Sequence, residues 1–159
     1  MRRATLLVTA IGVAMLLASG VALAVTKIGT NGSDFILGTK GSDVLSGRGG
    51  SDWINGRAGN DVIKGGPGND GPTSRAIGQL DGGLGADVIS GGPGRDGLVD
   101  GPFLYDSAVD ILDGGDGGDF LTAWSLPAAR DIVNCGAGKD QAVVDRKDIV
   151  SECERIFYP

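Results

Sequence analysis

Aspartate is the residue whose spacing could do chemistry in this chain. Asp34, Asp43, Asp52, Asp61 and Asp70 follow one another at intervals of nine without a slip. Asp87, Asp96 and Asp119 stand in similar surroundings further on. A Gly precedes each of the first five by two residues (Gly32, Gly41, Gly50, Gly59, Gly68), and another precedes it by five (Gly29, Gly38, Gly47, Gly56, Gly65). Carboxylates presented at a fixed interval on a permissive backbone are a ligand array for something positively charged. Of the 20 acidic residues in the 159, all but Glu152 and Glu154 are Asp, against 14 Lys and Arg, for a net charge of −6. His is absent, which removes Ser-His-Asp and Cys-His catalysis and imidazole-bound zinc. No basic stripe offsets the acidic excess, so nucleic acid is not expected as a partner. Gly and Asp are poor helix-interior residues, and the 30 Gly are roughly three times an average share. Such a chain either stays disordered or folds around cations.

The elements that position these carboxylates are nine-residue units. From Gly29 the chain reads GTNGSDFIL, GTKGSDVLS, GRGGSDWIN, GRAGNDVIK and GGPGND. It resumes as GGLGADVIS at Gly82, GGPGRD at Gly91, GGDGGDFLT at Gly114 and, degenerate, CGAGKDQAV at Cys135. The unit is G-G-x-G-x-D-x-U-x, with U a large apolar residue, and self-similarity at a fixed period marks a repeat architecture. On these motifs, residues 29–143 resemble the hemolysin-type, or repeats-in-toxin, calcium-binding repeat family. The resemblance implies an all-β fold, a right-handed parallel β-roll with two nonapeptides per turn. It also implies a six-residue loop that binds Ca²⁺ and a three-residue strand in each unit. Thr30, Thr39, Arg48 and Arg57 depart from the pattern at the second position, where the family prefers Gly.

The chemistry of the residue types agrees. Ca²⁺ takes six to eight oxygens, from carboxylates and backbone carbonyls. Asp holds its oxygens close to the loop, and Gly lets carbonyls turn toward one point. With two units per turn, loops 18 residues apart stack, which predicts ions shared by Asp34 and Asp52, Asp43 and Asp61, and Asp52 and Asp70. Ile36, Leu45, Ile54, Ile63, Ile89 and Leu121 at the U position should point inward, and Phe35, Val44, Trp53, Val62 and Val88 outward. One side chain per half-turn is a thin core against a backbone ordering cost of about 1–2 kcal/mol per residue. Folding is therefore expected to require the ion.

Flanking segments complete the organisation. Met1-Arg2-Arg3, an uncharged apolar Leu6 to Leu17 and Ala22-Leu23-Ala24 read as a signal peptide over residues 1–24, cleaved before Val25. The alternative is an uncleaved anchor, since Ala4 to Val25 is long enough to span. This implies a secreted protein, by a route unlike the C-terminally signalled exporter of many toxin-type members. In an oxidising compartment Cys135 and Cys153 read as a disulfide, with two buried thiols as the alternative; closing that loop is worth about 3 kcal/mol. The roll is expected over 25–143, with interruptions at 71–79, 97–109 and 123–130 projecting as loops. Residues 144–159, without Gly, read as a C-terminal cap in which Val144, Ile149, Val150, Ile156 and Phe157 cover the last turn. Asp140 is the weakest ligand candidate, because Cys opens its loop. The expected function is a non-catalytic calcium-binding protein. The alternatives are a calcium-stiffened adhesion module contacting a cell surface or extracellular polymer, and an Asp-based carbohydrate-acting enzyme.

Overall fold

The computed structural model describes residues 23–71, 80–102 and 106–159. The leader, apart from Leu23 and Ala24, and residues 72–79 and 103–105 within two of the interruptions lie outside the described residues. Among those described there is no helix. Three-residue strands follow from the repeat itself. Gly and the ladder Asp keep six of nine residues in a loop, and the x-U-x remainder has room for one inward side chain.

The strands alternate between two parallel sheets. One runs β1 (Thr26–Ile28), β3 (Val44–Ser46), β5 (Val62–Lys64), β7 (Val88–Gly94), β9 (Ile111–Gly117), β11 (Ile132–Asn134), β14 (Ile149–Ser151), with β12 (Ala137–Gly138) also on β9. The other runs β2 (Phe35–Leu37), β4 (Trp53–Asn55), β6 (Leu80–Asp81), β8 (Gly97–Val99), β10 (Phe120–Ala123), β13 (Gln141–Val144), β15 (Arg155–Phe157). Apart from β12, successive strands therefore lie on opposite sheets, and each pairs with the next strand of its own sheet. The architecture is a parallel β-solenoid of the β-roll kind, as the repeat implied.

The core is two rows of U residues. Leu45, Ile63, Ile89, Leu112 and Val133 are in register on one sheet. Ile36, Ile54, Leu80, Leu98, Leu121 and Ala142 are in register on the other. All are buried, and they form a single cluster. At the first rung Lys27 takes the U position beside Leu45 and donates its ammonium to the Leu37 carbonyl at 2.6 Å, which ends the apolar row with a charge. The residues expected outward are half-buried or exposed. Phe35 and Trp53 stack there, with ring centroids 4.2 Å apart.

Three boundaries differ from the sequence reading. The interruption at 97–109 begins only at Asp100, because Gly97-Leu98-Val99 is strand β8 and Leu98 is fully buried. Asp110-Ile111-Leu112-Asp113 is thus a separate piece of the repeat. It supplies the Asp and the strand of the next unit, on the opposite sheet. The interruption at 123–130 likewise begins after Ala123, the buried last residue of β10. The terminal segment does not fold over the end of the stack. It continues both sheets as β14 and β15, which leaves Ile149, Ile156 and Phe157 exposed. The reason is visible in DIVS and ERIF, which repeat the acid-x-U-x pattern without the glycines.

Replacing Ile89 by Ala should lower unfolding stability by about 2–5 kcal/mol. Val88→Thr next to it, on the outer face, should stay within about 0.5 kcal/mol of the parent. Urea unfolding midpoints under identical ionic conditions compare the two.

Candidate metal centre

The loops between the sheets place the acidic residues in two continuous columns, one along each edge of the roll. In one, the Asp34 N–H donates to Asp52 Oδ1 at 2.8 Å, Asp52 to Asp70 at 2.8 Å, Asp70 to Asp96 at 2.8 Å, Asp96 to Asp119 at 2.9 Å, and Asp119 to Asp140 at 2.7 Å. Asp140 N–H then donates to Glu154 Oε2 at 2.7 Å. In the other column Asp43, Asp61, Asp87, Asp110, Asp131 and Asp148 follow the same rule, at 2.7 to 3.0 Å. The sequence separation within a column varies from 14 to 26 residues, because the interruptions add residues between some carboxylates and the last turn has fewer. A shorter ladder runs beside each column. Ser33, Ser42, Asn60 and Asn69 accept the N–H of Ser51, Asn60, Ala86 and Arg95 one turn on.

Each column Asp thus spends one oxygen on the neighbouring turn. The second oxygen of Asp52, Asp61, Asp70, Asp87, Asp96, Asp119, Asp131 and Asp140 is buried with no hydrogen-bond donor. A buried carboxylate oxygen without a partner is costly, so a row of them calls for a counter-ion. What surrounds them is oxygen. A methyl group at Gly91 would lie 2.6 Å from Asp96 Oδ2 and 2.5 Å from the Gly114 carbonyl oxygen of the next turn. Carboxylate and carbonyl therefore share one neighbourhood, which only glycine leaves open. Carboxylate and carbonyl oxygens with no nitrogen or sulfur suit a hard divalent cation, and Ca²⁺ fits this donor set.

The first two loops are built differently. Thr30 donates to Asp34 Oδ2 from its backbone N–H at 2.6 Å and its hydroxyl at 3.0 Å. Thr39 N–H reaches Asp43 Oδ2 at 2.5 Å, and the Thr39 hydroxyl reaches Asp43 Oδ1 at 3.1 Å. In later loops the second position instead takes a left-handed conformation, at φ 111° in Gly66 and 98° in Gly83. Arg48 and Arg57 are held there too, at φ 80° and 79°, in a region that costs a non-glycine residue about 1–2 kcal/mol. Threonine at this position closes the loop on its own carboxylate; glycine or arginine leaves the carboxylate free.

Burial raises the carboxyl pKa of several aspartates in both columns. Asp87 is pushed up to about 8 by desolvation, which outweighs the lowering by the Asp61 N–H, and Asp61, Asp110 and Asp106 add repulsion. Desolvation likewise carries Asp96 and Asp110 to about 7, and Asp61, Asp70, Asp119 and Asp131 to about 6.

Of the residues singled out in the sequence, Asp34, Asp43, Asp52, Asp61, Asp70, Asp87, Asp96 and Asp119 all stand in the columns. Gly29, Gly38, Gly47, Gly56 and Gly65 lie against the carboxylates of their own units. Gly50, Gly59 and Gly68 have positive φ, and Gly32 and Gly41 do not. Cys135 and Cys153 are bonded, with Cα atoms 5.0 Å apart. Sequence reasoning did not assign Asp110, Asp131, Asp148 and Glu154 to the columns. Their signal was the acid-x-U-x tetrad surviving where the glycines had gone.

Two outcomes follow. A group whose folded pKa is raised stabilises the fold below its unfolded pKa and loses that contribution as pH rises through the folded value. In excess chelator the urea midpoint should therefore fall as pH rises from about 4 to about 8, as followed by circular dichroism. Asp61→Asn should weaken calcium binding at least about tenfold, a cost of roughly 1.4 kcal/mol or more. Asp34→Asn, at a carboxylate already satisfied by Thr30, should change it less than about twofold. Calorimetric titration separates them.

No curated protein and no solved structure matches the chain. A family model does: the RTX calcium-binding nonapeptide repeat matches in four copies, at residues 28–63, 46–71, 79–98 and 106–125, together more than half of the chain. With the roll, the glycine-lined loops and the carboxylate columns in agreement, the chain belongs to the RTX calcium-binding nonapeptide repeat family.

Proposed function

We propose that this chain is an exported, non-catalytic calcium-binding protein whose fold depends on Ca²⁺ shared between stacked loops. The observation that carries the reading is the row of buried, donorless Asp Oδ2 atoms from Asp52 to Asp140. Bound there, Ca²⁺ would supply positive charge between carboxylates of successive turns. The protein's own part is to hold those carboxylates in register through the Asp N–H ladder and to aim glycine carbonyls at the same points. Without cations at neutral pH the columns repel along their length and the two-row core is too narrow to compensate, so binding and folding become one equilibrium. Asp52, Asp61, Asp70, Asp87, Asp96 and Asp119 are the ligands carried over from the repeat, and Asp110, Asp131 and Asp140 join them by position. Asp34 and Asp43 serve as hydrogen-bonded starts of the columns.

Export rests on the leader-like residues 1–24 and suits the Cys135–Cys153 disulfide. Extracellular calcium modules work at roughly 10⁻⁴–10⁻³ M Ca²⁺, so folding would wait until the chain leaves the cytoplasm. The fixed-interval aspartates serve the columns, so the regular spacing itself does not argue for a glycosidase-type pair.

A second reading has its own observation. Val44, Val62, Val88, Ile111, Ile132 and Ile149 form one row in register on the outer face of the first sheet, and most are 40–49% exposed. With the Phe35–Trp53 stack on the other sheet, this makes calcium-stiffened adhesion the alternative use of the roll. Pull-down on cell-wall material with and without chelator tests it; equal retention in both would count against it.

Circular dichroism of residues 25–159 should show a disordered spectrum in chelator at pH 7.5 and a cooperative gain of β signal with Ca²⁺. Mg²⁺ should not substitute, because it demands octahedral geometry and gives up water reluctantly. A full β signal in excess chelator at that pH would refute coupled folding.

A further inference from the structure

Glycine is not kept at every loop start on the inner side: Cys135 takes its place on one edge of the roll, and Asp100 on the other. Along that second edge, Gly38, Gly56 and Gly82 each begin a loop, and at each a Cβ would fall on the carboxylate of its own unit. The next residue in that column is Asp100, whose N–H donates to the Thr122 carbonyl at 3.0 Å and whose own carbonyl accepts from Gly83 N–H at 3.1 Å. A regular loop has five residues from this position to its column Asp, as from Gly82 to Asp87; here Asp110 comes ten residues later. The longer loop admits a side chain where other turns exclude one, and the side chain is a carboxylate. Asp100, Asp110 and Asp131 each bring an oxygen within 4.8 Å of the others, and all three are at most 4% exposed.

A cluster of acids alone could be held by shared protons. A second observation argues for a cation: Asp131 is fully buried, one of its oxygens accepts the Asp110 N–H, and its Oδ2 has no partner.

We infer that Asp100, Asp110 and Asp131 form a three-carboxylate cation site, different in composition from the repeat sites, that takes Ca²⁺ more tightly than they do and accepts trivalent lanthanide ions. The inference rests on the reading of the columns as cation-binding and adds to it a ligand that the repeat does not contain. Each repeat loop contributes one carboxylate and otherwise neutral oxygens, whereas this site has a third negative charge within reach of one ion, and affinity for hard cations grows with ligand charge. Asp100 also serves the turn below: its carbonyl oxygen stands near Asp87 Oδ2 through the open side of Gly82, as glycine carbonyls do elsewhere. Its backbone thus completes one ordinary site while its side chain makes the unusual one.

The test is competition titration of the full chain with Ca²⁺ and, separately, Tb³⁺, comparing the parent with Asp100→Asn, Asp100→Gly and Asp61→Asn. Asp100→Gly restores the residue that Gly38, Gly56 and Gly82 supply at this position, so it keeps a foldable variant in the set. The parent should show one ion bound at least tenfold more tightly than the rest. Both Asp100 variants should lose that tight class and keep the weaker ones, and Asp61→Asn should keep the tight class. Unchanged affinities and stoichiometry in both Asp100 variants, with the weaker sites intact, would overturn this inference and leave the columns' role standing. Higher stability of Asp100→Asn in chelator with no loss of an ion would also overturn it, in favour of shared protons. A parent that binds no Ca²⁺ would overturn both readings together.

Discussion

The structure depends on how each column aspartate divides its two oxygens. In Asp52, Asp61, Asp70, Asp87, Asp96, Asp119, Asp131 and Asp140 one accepts the backbone N–H of the aspartate a turn earlier, and the other meets no donor. The first contact fixes the register of successive turns, since a slip of one residue would bring the outward residues to the core and break every N–H···Oδ1 pair. The second leaves a row of buried oxygens, which makes the register conditional on a counter-charge. Both consequences come from the same side chain, so the ladder that organises the roll is also what makes it dependent on cations.

The narrow core explains why the ladder is needed. Two rows of one apolar side chain per strand are fully buried, yet they span only the width of three-residue strands. A conventional sandwich uses longer strands with several inward residues each. Here the loops carry as much of the ordering as the strands, through Asp, through the Ser and Asn side chains beside them, and through glycines packed against the carbonyls of the next turn. The glycine requirement is steric as well as conformational. It is relaxed where threonine closes the loop, and at Asp100, where the loop is longer.

Much of this was legible from the residues because the repeat sets one environment per position. The inward Ile and Leu residues, the alternation of sheets and the stacking of the Asp34 and Asp52 loops all followed from a period of nine and two units per turn. What escaped the reading did so for physical reasons. Gly97 preceding Leu98 disguised strand β8, because most other strands carry a large side chain at that position and Gly97 is instead buried in the stack. Asp110 and Asp131 kept their place in the column although the glycine loop before each had given way to a longer interruption. Asp148-Ile149-Val150-Ser151 was hidden by its charge, which suggested a lid where the chain adds another rung. The distinction between Asp34 and Asp52 turned on whether the second loop residue is threonine or a residue held at positive φ, and the spacing of aspartates carries no trace of that.

The most direct test of the central claim is native mass spectrometry of the chain at neutral pH, with calcium and after chelation. The account predicts several Ca²⁺ ions per molecule with a narrow, compact charge-state distribution, and a broad, highly charged one once the ions are removed. A compact distribution that persists without any bound cation would contradict it.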